Sequence, residues 1–169
     1  MRFLMICLAL SSTAFGLQTP AASEARTSST TLRQAAGNRL KVMITEMDID
    51  VLPRSRGFGA DIAATERQGR DPYRAGLPDE VQQKLADRYG ELFAMIMRYP
   101  QVTRVTLWGI SDGQTWLNNY PVWGRTNYPM LWDRQLHPKP AFDAVIKALQ
   151  SVKPDGGSAK GESPGTAHK

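Results

Sequence analysis

Apolar residues recur along this chain at two different periods, and the changes of period mark its elements. Between Pro78 and Arg98, Val81, Leu85, Tyr89, Leu92, Phe93 and Ile96 are spaced mostly by three and four, which predicts an amphipathic helix. Pro78 suits an opening position, Asp79 and Glu80 suit the positive end of the helix dipole, and Pro100 stops the helix soon after Arg98. Phe142, Val145, Ile146 and Leu149 repeat the pattern over Ala141 to Leu149, with Pro138 and Pro140 leading in. Two other runs follow a period of two. Leu40 to Glu46 reads as a β-branched apolar strand, and Val102 to Gly109 as a second, with Val105 and Leu107 on one side and Thr106 and Trp108 on the other.

Strand, loop, helix, strand is one βαβ unit, and such units join parallel strands by a right-handed crossover. Glu46 and Trp108 then stand at the same end of neighbouring strands. In the stretch KVMITEMDIDV, from Lys41 to Val51, strict alternation carries Val42 and Ile44 on one side and sets Glu46, Asp48 and Asp50 after them on that same side. Two readings fit three acids at a strand's end. One is a buried parallel strand entering a catalytic rim, and the other is a strand running into a solvated acidic loop.

The intervening segments differ in kind. Ala21 to Thr31 is rich in Ala, Ser and Thr and reads as a linker, and Leu32 to Asn38 as the last turns of a helix that Gly37 or Asn38 ends. Met47 to Leu77 is a long loop with Pro53, Gly57, Gly59, Gly69, Pro72 and Gly76, and loops of that length in compact domains line a site or are disordered. Ser111 to Met130 is a second long loop. It holds Trp116, Asn118, Asn119, Tyr120, Trp123, Asn127 and Tyr128, a mixture of aromatic faces and amides that suits a sugar ring, or else pins the loop by burying its own aromatics.

Composition narrows the function classes. A chain of 169 residues accommodates one domain with a core, and its net charge of +5 is spread without a Lys/Arg run, so nucleic acid is not implied. Arg2 followed by the apolar run Phe3 to Leu10 and the small residues before Gly16 has the order of a secretory signal, the alternative being an uncleaved amphipathic tail. Cleavage after Gly16 or after Ala25 fits equally, and either predicts a secreted or periplasmic protein with no membrane association once the signal is removed. Cys7 is the only cysteine and lies in that run, which leaves the mature chain without a disulfide or a thiol nucleophile. Ser151 to Lys169 has almost nothing to bury and reads as a disordered tail. No metal-ligand cluster and no phosphate-cradle spacing occur, so no cofactor is implied. Residues 1–25 are thus read as signal and linker, 32–150 as the folded part and 151–169 as tail.

The motifs ITEMDIDVLPR, RYGELF before a proline, and VTRVTLWGISDGQTWLNNYPVWGRTNYPMLWDRQLHPKPAFDAV stand in order along the chain. Together, from about Leu32 to Leu149, they resemble the C-terminal end of a glycoside hydrolase family 10 endo-1,4-β-xylanase. The resemblance implies an α/β fold, a partial (β/α)8 barrel holding the last two strand-helix units, with the site at the C-terminal ends of the strands. It implies that Glu46 is the nucleophile of a retaining reaction, that Asp48 orients a histidine, and that Trp108 and Trp116 wall the sugar subsites. The implied ligand is xylan or a xylo-oligosaccharide.

The chain departs from that pattern. The family's acid/base glutamate lies in a segment resembling WDVVNE, which this sequence does not contain, and the histidine expected to meet Asp48 has no match in His137 or His168. A complete barrel takes about 250 residues. Two expectations follow from these departures. One is a truncated hydrolase whose site a complementing barrel fragment would complete, and the other is an exported, noncatalytic glycan binder using Trp108, Trp116 and Tyr120.

Overall fold

The computed structural model describes residues 3–11, 21–52, 71–120 and 123–151. Their order is β1 (Phe3–Ser11), α1 (Ala21–Gly37), β2 (Lys41–Asp50), α2 (Asp79–Ile96), β3 (Val102–Leu107), a 3-10 turn (Trp116–Asn118) and α3 (Pro140–Ser151). The three strands form one parallel sheet in the order β1-β2-β3. Two consecutive βαβ units, one through α1 and one through α2, therefore build the sheet.

The predicted helices and the strands β2 and β3 are present, with β2 running on to Asp50 and α3 to Ser151. Three readings are corrected. The segment Phe3 to Leu10, set apart from the fold, is an edge strand paired to β2 from Phe3 opposite Lys41 to Ser11 opposite Asp50. The sheet among the described residues therefore has three strands rather than two. Ala21 to Thr31, read as a linker, is the first part of α1. The helix ends at Gly37, as read, and the left-handed residue that follows it is Arg39, at φ 53°. Arg39 N–H donates to Ala36 O and Leu40 N–H to Ala35 O, the paired bonds of a Schellman end. Of the long loop after β2, residues 53–70 lie outside the described residues, as do 152–169.

One core unites the sheet and two of the helices. Ile44, Met47 and Ile49 of β2 pack with Leu85, Tyr89, Phe93 and Ile96 of α2 and with Ala141, Val145 and Ala148 of α3. A smaller cluster sets Leu32 and Ala35 of α1 on Val42, where Leu40 and Tyr99 also pack. Tyr89 is wholly buried and its hydroxyl donates to Pro129 O at 2.6 Å, so α2 also anchors the loop that follows β3.

The buried apolar positions of β2 are 42, 44, 47 and 49, and the step of three in that series breaks strict alternation. The break is a β-bulge. Ile44 pairs with Ile6 and Val105, but the next partners are Glu46 with Cys7 and Met47 with Leu107, so the register shifts on both sides of Thr45 and Glu46. The alternation read from the sequence is corrected accordingly. Met47, Ile49 and Val51 continue the helix-facing side of Val42 and Ile44, and Asp48 and Asp50 take the opposite side.

Candidate active site

The bulge delivers Glu46 half-buried at the point where β2 changes phase, and the next two acids on that strand are enclosed. Asp48 is 3% exposed and Asp50 is 1% exposed. The solvated acidic loop considered above is therefore not what forms here. Buried carboxylates need donors, and the segment after β3 provides them. Trp116 Nε1–H donates to Asp48 Oδ2 at 2.6 Å, and Asn127 Nδ2–H donates to Asp50 Oδ1 at 2.7 Å. Asp50 Oδ1 also accepts Leu52 N–H at 3.0 Å, closing the turn that leaves β2.

Trp108 follows β3 directly, with its backbone N–H donating to Met47 O at 3.0 Å. That bond holds it beside the end of β2, as the parallel pairing requires. Trp108 is 47% exposed. Trp116 opens the 3-10 turn, which Thr115 caps by accepting Leu117 N–H at 3.3 Å, and buried Leu117 anchors it from below. The Trp116 ring stacks on Tyr120 with centroids 5.1 Å apart and planes at 24°, and Tyr120 is 56% exposed. A stacked pair of aromatic rings thus leads from the buried Asp48 outward to solvent.

The segment carrying these rings is fixed by polar contacts that pattern reading did not single out. Lys139, buried, places its ammonium on Asp112 Oδ2 at 2.8 Å, Tyr128 O at 2.8 Å and Met130 O at 2.9 Å. All three ammonium hydrogens are used. Burial pushes the Asp112 carboxyl up and the Lys139 ammonium down, and each partner's charge offsets part of the other's shift. Asn118 Nδ2–H donates to Asp112 O at 2.9 Å, while its Oδ1 accepts Asn127 N–H at 2.9 Å. Arg134 caps the cluster by donating to Asn127 O and stacking over the Tyr128 ring at 4.9 Å. Sequence reading named Asn118 and Asn127 only as parts of an amide-rich loop. Lys139 carried no signal beyond its place between two prolines.

Of the residues predicted for the site, Asp48 and Trp116 touch, Glu46 lies two positions back on the same strand, and Trp108 lies across the β2–β3 pairing. His137 is elsewhere, its Nδ1 3.3 Å from Asp133 Oδ2 in an exposed turn. A groove of about 730 Å³ between α2 and α3 is lined by Asp87, Gly90, Glu91 and Lys147 among others, and none of the predicted residues reaches it. Among the described residues no group of three or more His, Cys, Asp or Glu is placed to hold a metal ion, and no helix is long and apolar enough to cross a membrane.

Known proteins resemble this chain over most of its length. The family model described as Glycosyl hydrolase family 10 matches residues 13–148. Endo-1,4-beta-xylanase A of Xylanibacter ruminicola is 38% identical over 120 residues, which is 69% of this chain and 32% of that protein. A thermostable celloxylanase of Thermoclostridium stercorarium is 38% identical over 109 residues, 60% of this chain and 28% of that protein. The chain thus spans about a third of the length of the curated relatives it matches. Among solved structures, a family 10 endoxylanase retrieved from a sugarcane-soil metagenome superposes with TM-score 0.69 at 35% identity, over 87% of this chain and 39% of that one. A mutant protein solved in complex with xylotriose superposes with TM-score 0.67 at 27% identity, over 86% of this chain and 39% of that one. With three parallel strands and their helices laid over part of those barrels, and the family's motifs in order along the sequence, the chain belongs to glycosyl hydrolase family 10.

Proposed function

We propose that this chain carries the nucleophile half of a retaining endo-1,4-β-xylanase site, with xylan or xylo-oligosaccharides as the ligand. The observation that carries the reading is the hydrogen bond from Trp116 to Asp48, which holds an indole beside the strand end that bears Glu46. Glu46 is the nucleophile, Asp48 orients its surroundings, and Trp108 and Trp116 offer ring faces to sugars on either side of the cleaved bond.

In the proposed reaction the Glu46 carboxylate attacks the anomeric carbon as the glycosidic C–O bond breaks. A second carboxyl, roughly 5 to 5.5 Å away, protonates the leaving oxygen. That group then takes a proton from water, which displaces Glu46 and restores the carboxylate with net retention. The sequence holds no segment like the family's acid/base motif, so the proposed site is complete only with a complementing barrel part. Export to the periplasm or the medium, where xylan is met, is part of the same proposal and rests on the order of residues 1–16.

The test is xylohexaose hydrolysis by this chain alone and by the chain mixed with the N-terminal barrel portion of a relative. The expected result is no turnover alone, turnover in the mixture, and its abolition by Glu46→Gln. Activity that survives Glu46→Gln overturns the assignment of the nucleophile.

A second reading, a noncatalytic β-glycan binder, draws on the stacked and outward-leading Trp116 and Tyr120. It expects xylohexaose to change the tryptophan fluorescence without any hydrolysis in the mixture.

A further inference from the structure

We propose that Asn127 is a positioning residue for Trp116, through a relay of amide groups that ties the turn beneath the indole to Asp50. The inference rests on the sugar-site reading above and identifies what fixes the ring in that site.

A single hydrogen bond at Nε1 pins one atom of an indole and leaves the ring able to pivot about it. Trp116 has a second attachment through its own turn. Asn118, the last residue of that turn, accepts Asn127 N–H on Oδ1 at 2.9 Å. Asn127 then reaches β2 with its side chain, donating Nδ2–H to Asp50 Oδ1 at 2.7 Å while its Oδ1 accepts Val51 N–H at 3.4 Å and Tyr128 N–H at 2.8 Å. Asp48 and Asp50 are two residues apart on β2, so the two attachment points lie roughly 7 Å apart on one face of the strand. Two anchors at that separation remove the pivot that one would allow.

The chemistry of position 127 is specific. The side chain must donate toward Asp50 and accept from two backbone N–H groups in a space where Asn127 is 1% exposed. Among short side chains only an amide does both from two separate atoms, Nδ2 toward Asp50 and Oδ1 toward the backbone. Aspartate has the same shape but presents a carboxylate oxygen to Asp50, and two carboxylates in contact repel. Swapping the two residues restores a donor facing an acceptor. Asn at position 50 donates through Nδ2, and Asp at position 127 accepts from it and from the same backbone groups, at the cost of the bond that Asp50 Oδ1 now accepts from Leu52 N–H.

The experiment follows the indole N–H resonances in 1H–15N spectra of the full chain. Trp108, Trp123 and Trp132 serve as internal references for Trp116. Asn127→Asp is expected to shift and broaden the Trp116 signal alone and to weaken xylohexaose binding roughly tenfold, the loss expected of one hydrogen bond. Asp50→Asn, which keeps an acceptor, is expected to leave that signal in place, and the double variant Asp50→Asn with Asn127→Asp to restore it. A Trp116 resonance unmoved in Asn127→Asp overturns the relay, and so does a double variant that stays displaced. If Asn127→Asp alone does not fold, Asn127→Ala, which removes the amide without adding a charge, takes its place, and a Trp116 resonance that it leaves unmoved overturns the relay. A flat xylohexaose titration of the wild-type chain removes the sugar-site reading instead, and the resonances report on the relay without any ligand.

Discussion

Trp116 donates its indole N–H to Asp48 Oδ2 at 2.6 Å, joining the segment after β3 to the buried end of β2. In the family pattern a histidine is expected at that carboxylate, and here an indole N–H meets it. Trp116→Phe keeps an aromatic face but removes the donor and part of the indole's bulk, and it is expected to cost at least about 2 kcal/mol, the range for a hydrogen bond to a charged acceptor. Urea denaturation measures this. Asp48→Asn, which retains an acceptor oxygen, is expected to cost less than the Phe variant, and the reverse order would show that the indole N–H contributes little.

Lys139 and Asp112 form a buried ion pair whose removal from one side is expected to be worse than removal of both. Lys139→Met leaves Asp112 buried without its cation and should destabilise by about 3 to 5 kcal/mol. Adding Asp112→Asn retains an acceptor for Met130 N–H, which Asp112 Oδ1 now accepts at 2.9 Å, and removes the stranded charge. The double variant should therefore be more stable than Lys139→Met alone. A double-mutant cycle by chemical denaturation checks this, and strict additivity would mean that the pair is not coupled.

How far the site was legible in the sequence depends on which physical signal carried each part. The helices α2 and α3 announced themselves through sustained periods and prolines at their starts, and the strand assignments followed from β-branched runs. The bulge at Thr45 and Glu46 did not, because no glycine or proline marks it. Its trace is the spacing of Ile44 and Met47, three apart in a strand that otherwise repeats every two. Strict alternation kept the three acids together but put them on the wrong side. The site roles of Asp48 and Trp116 came from the family resemblance. Lys139, Asn118 and Asn127 are tied to partners as far as 77 positions away, and polar pairings of that range leave no periodic signature.

Arg39 sits at φ 53°, in the left-handed position that ends α1, and its side chain is exposed. A β-carbon is disfavoured there and glycine is not. Arg39→Gly is expected to raise stability by roughly 1 kcal/mol with the Schellman bonds intact. A thermal or urea midpoint that falls instead would show that the Arg39 side chain stabilises the fold more than the backbone strain costs.

Asp133 folds the exposed turn before α3 by accepting Gln135 N–H and His137 N–H, both at 2.8 Å, on Oδ1. The backbone bond from His137 is the chief reason its carboxyl is held below the ordinary aspartate value of 3.8. A folded-state value below the unfolded one contributes stability above about pH 4 that is lost as pH falls through the lower value. Carbon-detected NMR titration should therefore place the Asp133 midpoint below 3.8, and Asp133→Asn should flatten the stability profile in that acid window. A midpoint at or above the ordinary value would separate the carboxylate from the turn.

β1 presents the sharpest consequence of the fold for the export reading, because the strand that edges the sheet is the same stretch that has the order of a secretory signal. Cleavage after Gly16 would remove β1, and cleavage after Ala25 would also remove the start of α1. Either leaves the backbone N–H and C=O groups of β2 open on the side where Phe3 to Ser11 now pair. An exposed strand edge next to a hydrophobic core invites pairing with another chain. A chain beginning at Ala21 is therefore expected to unfold at lower urea than the full chain and to self-associate on size exclusion. Addition of a synthetic peptide spanning Phe3 to Ser11 should reverse both effects if pairing alone is what was lost. Unchanged midpoint and unchanged elution volume would show instead that β2 needs no partner on that side, and that β1 can be removed by export without cost to the site it borders.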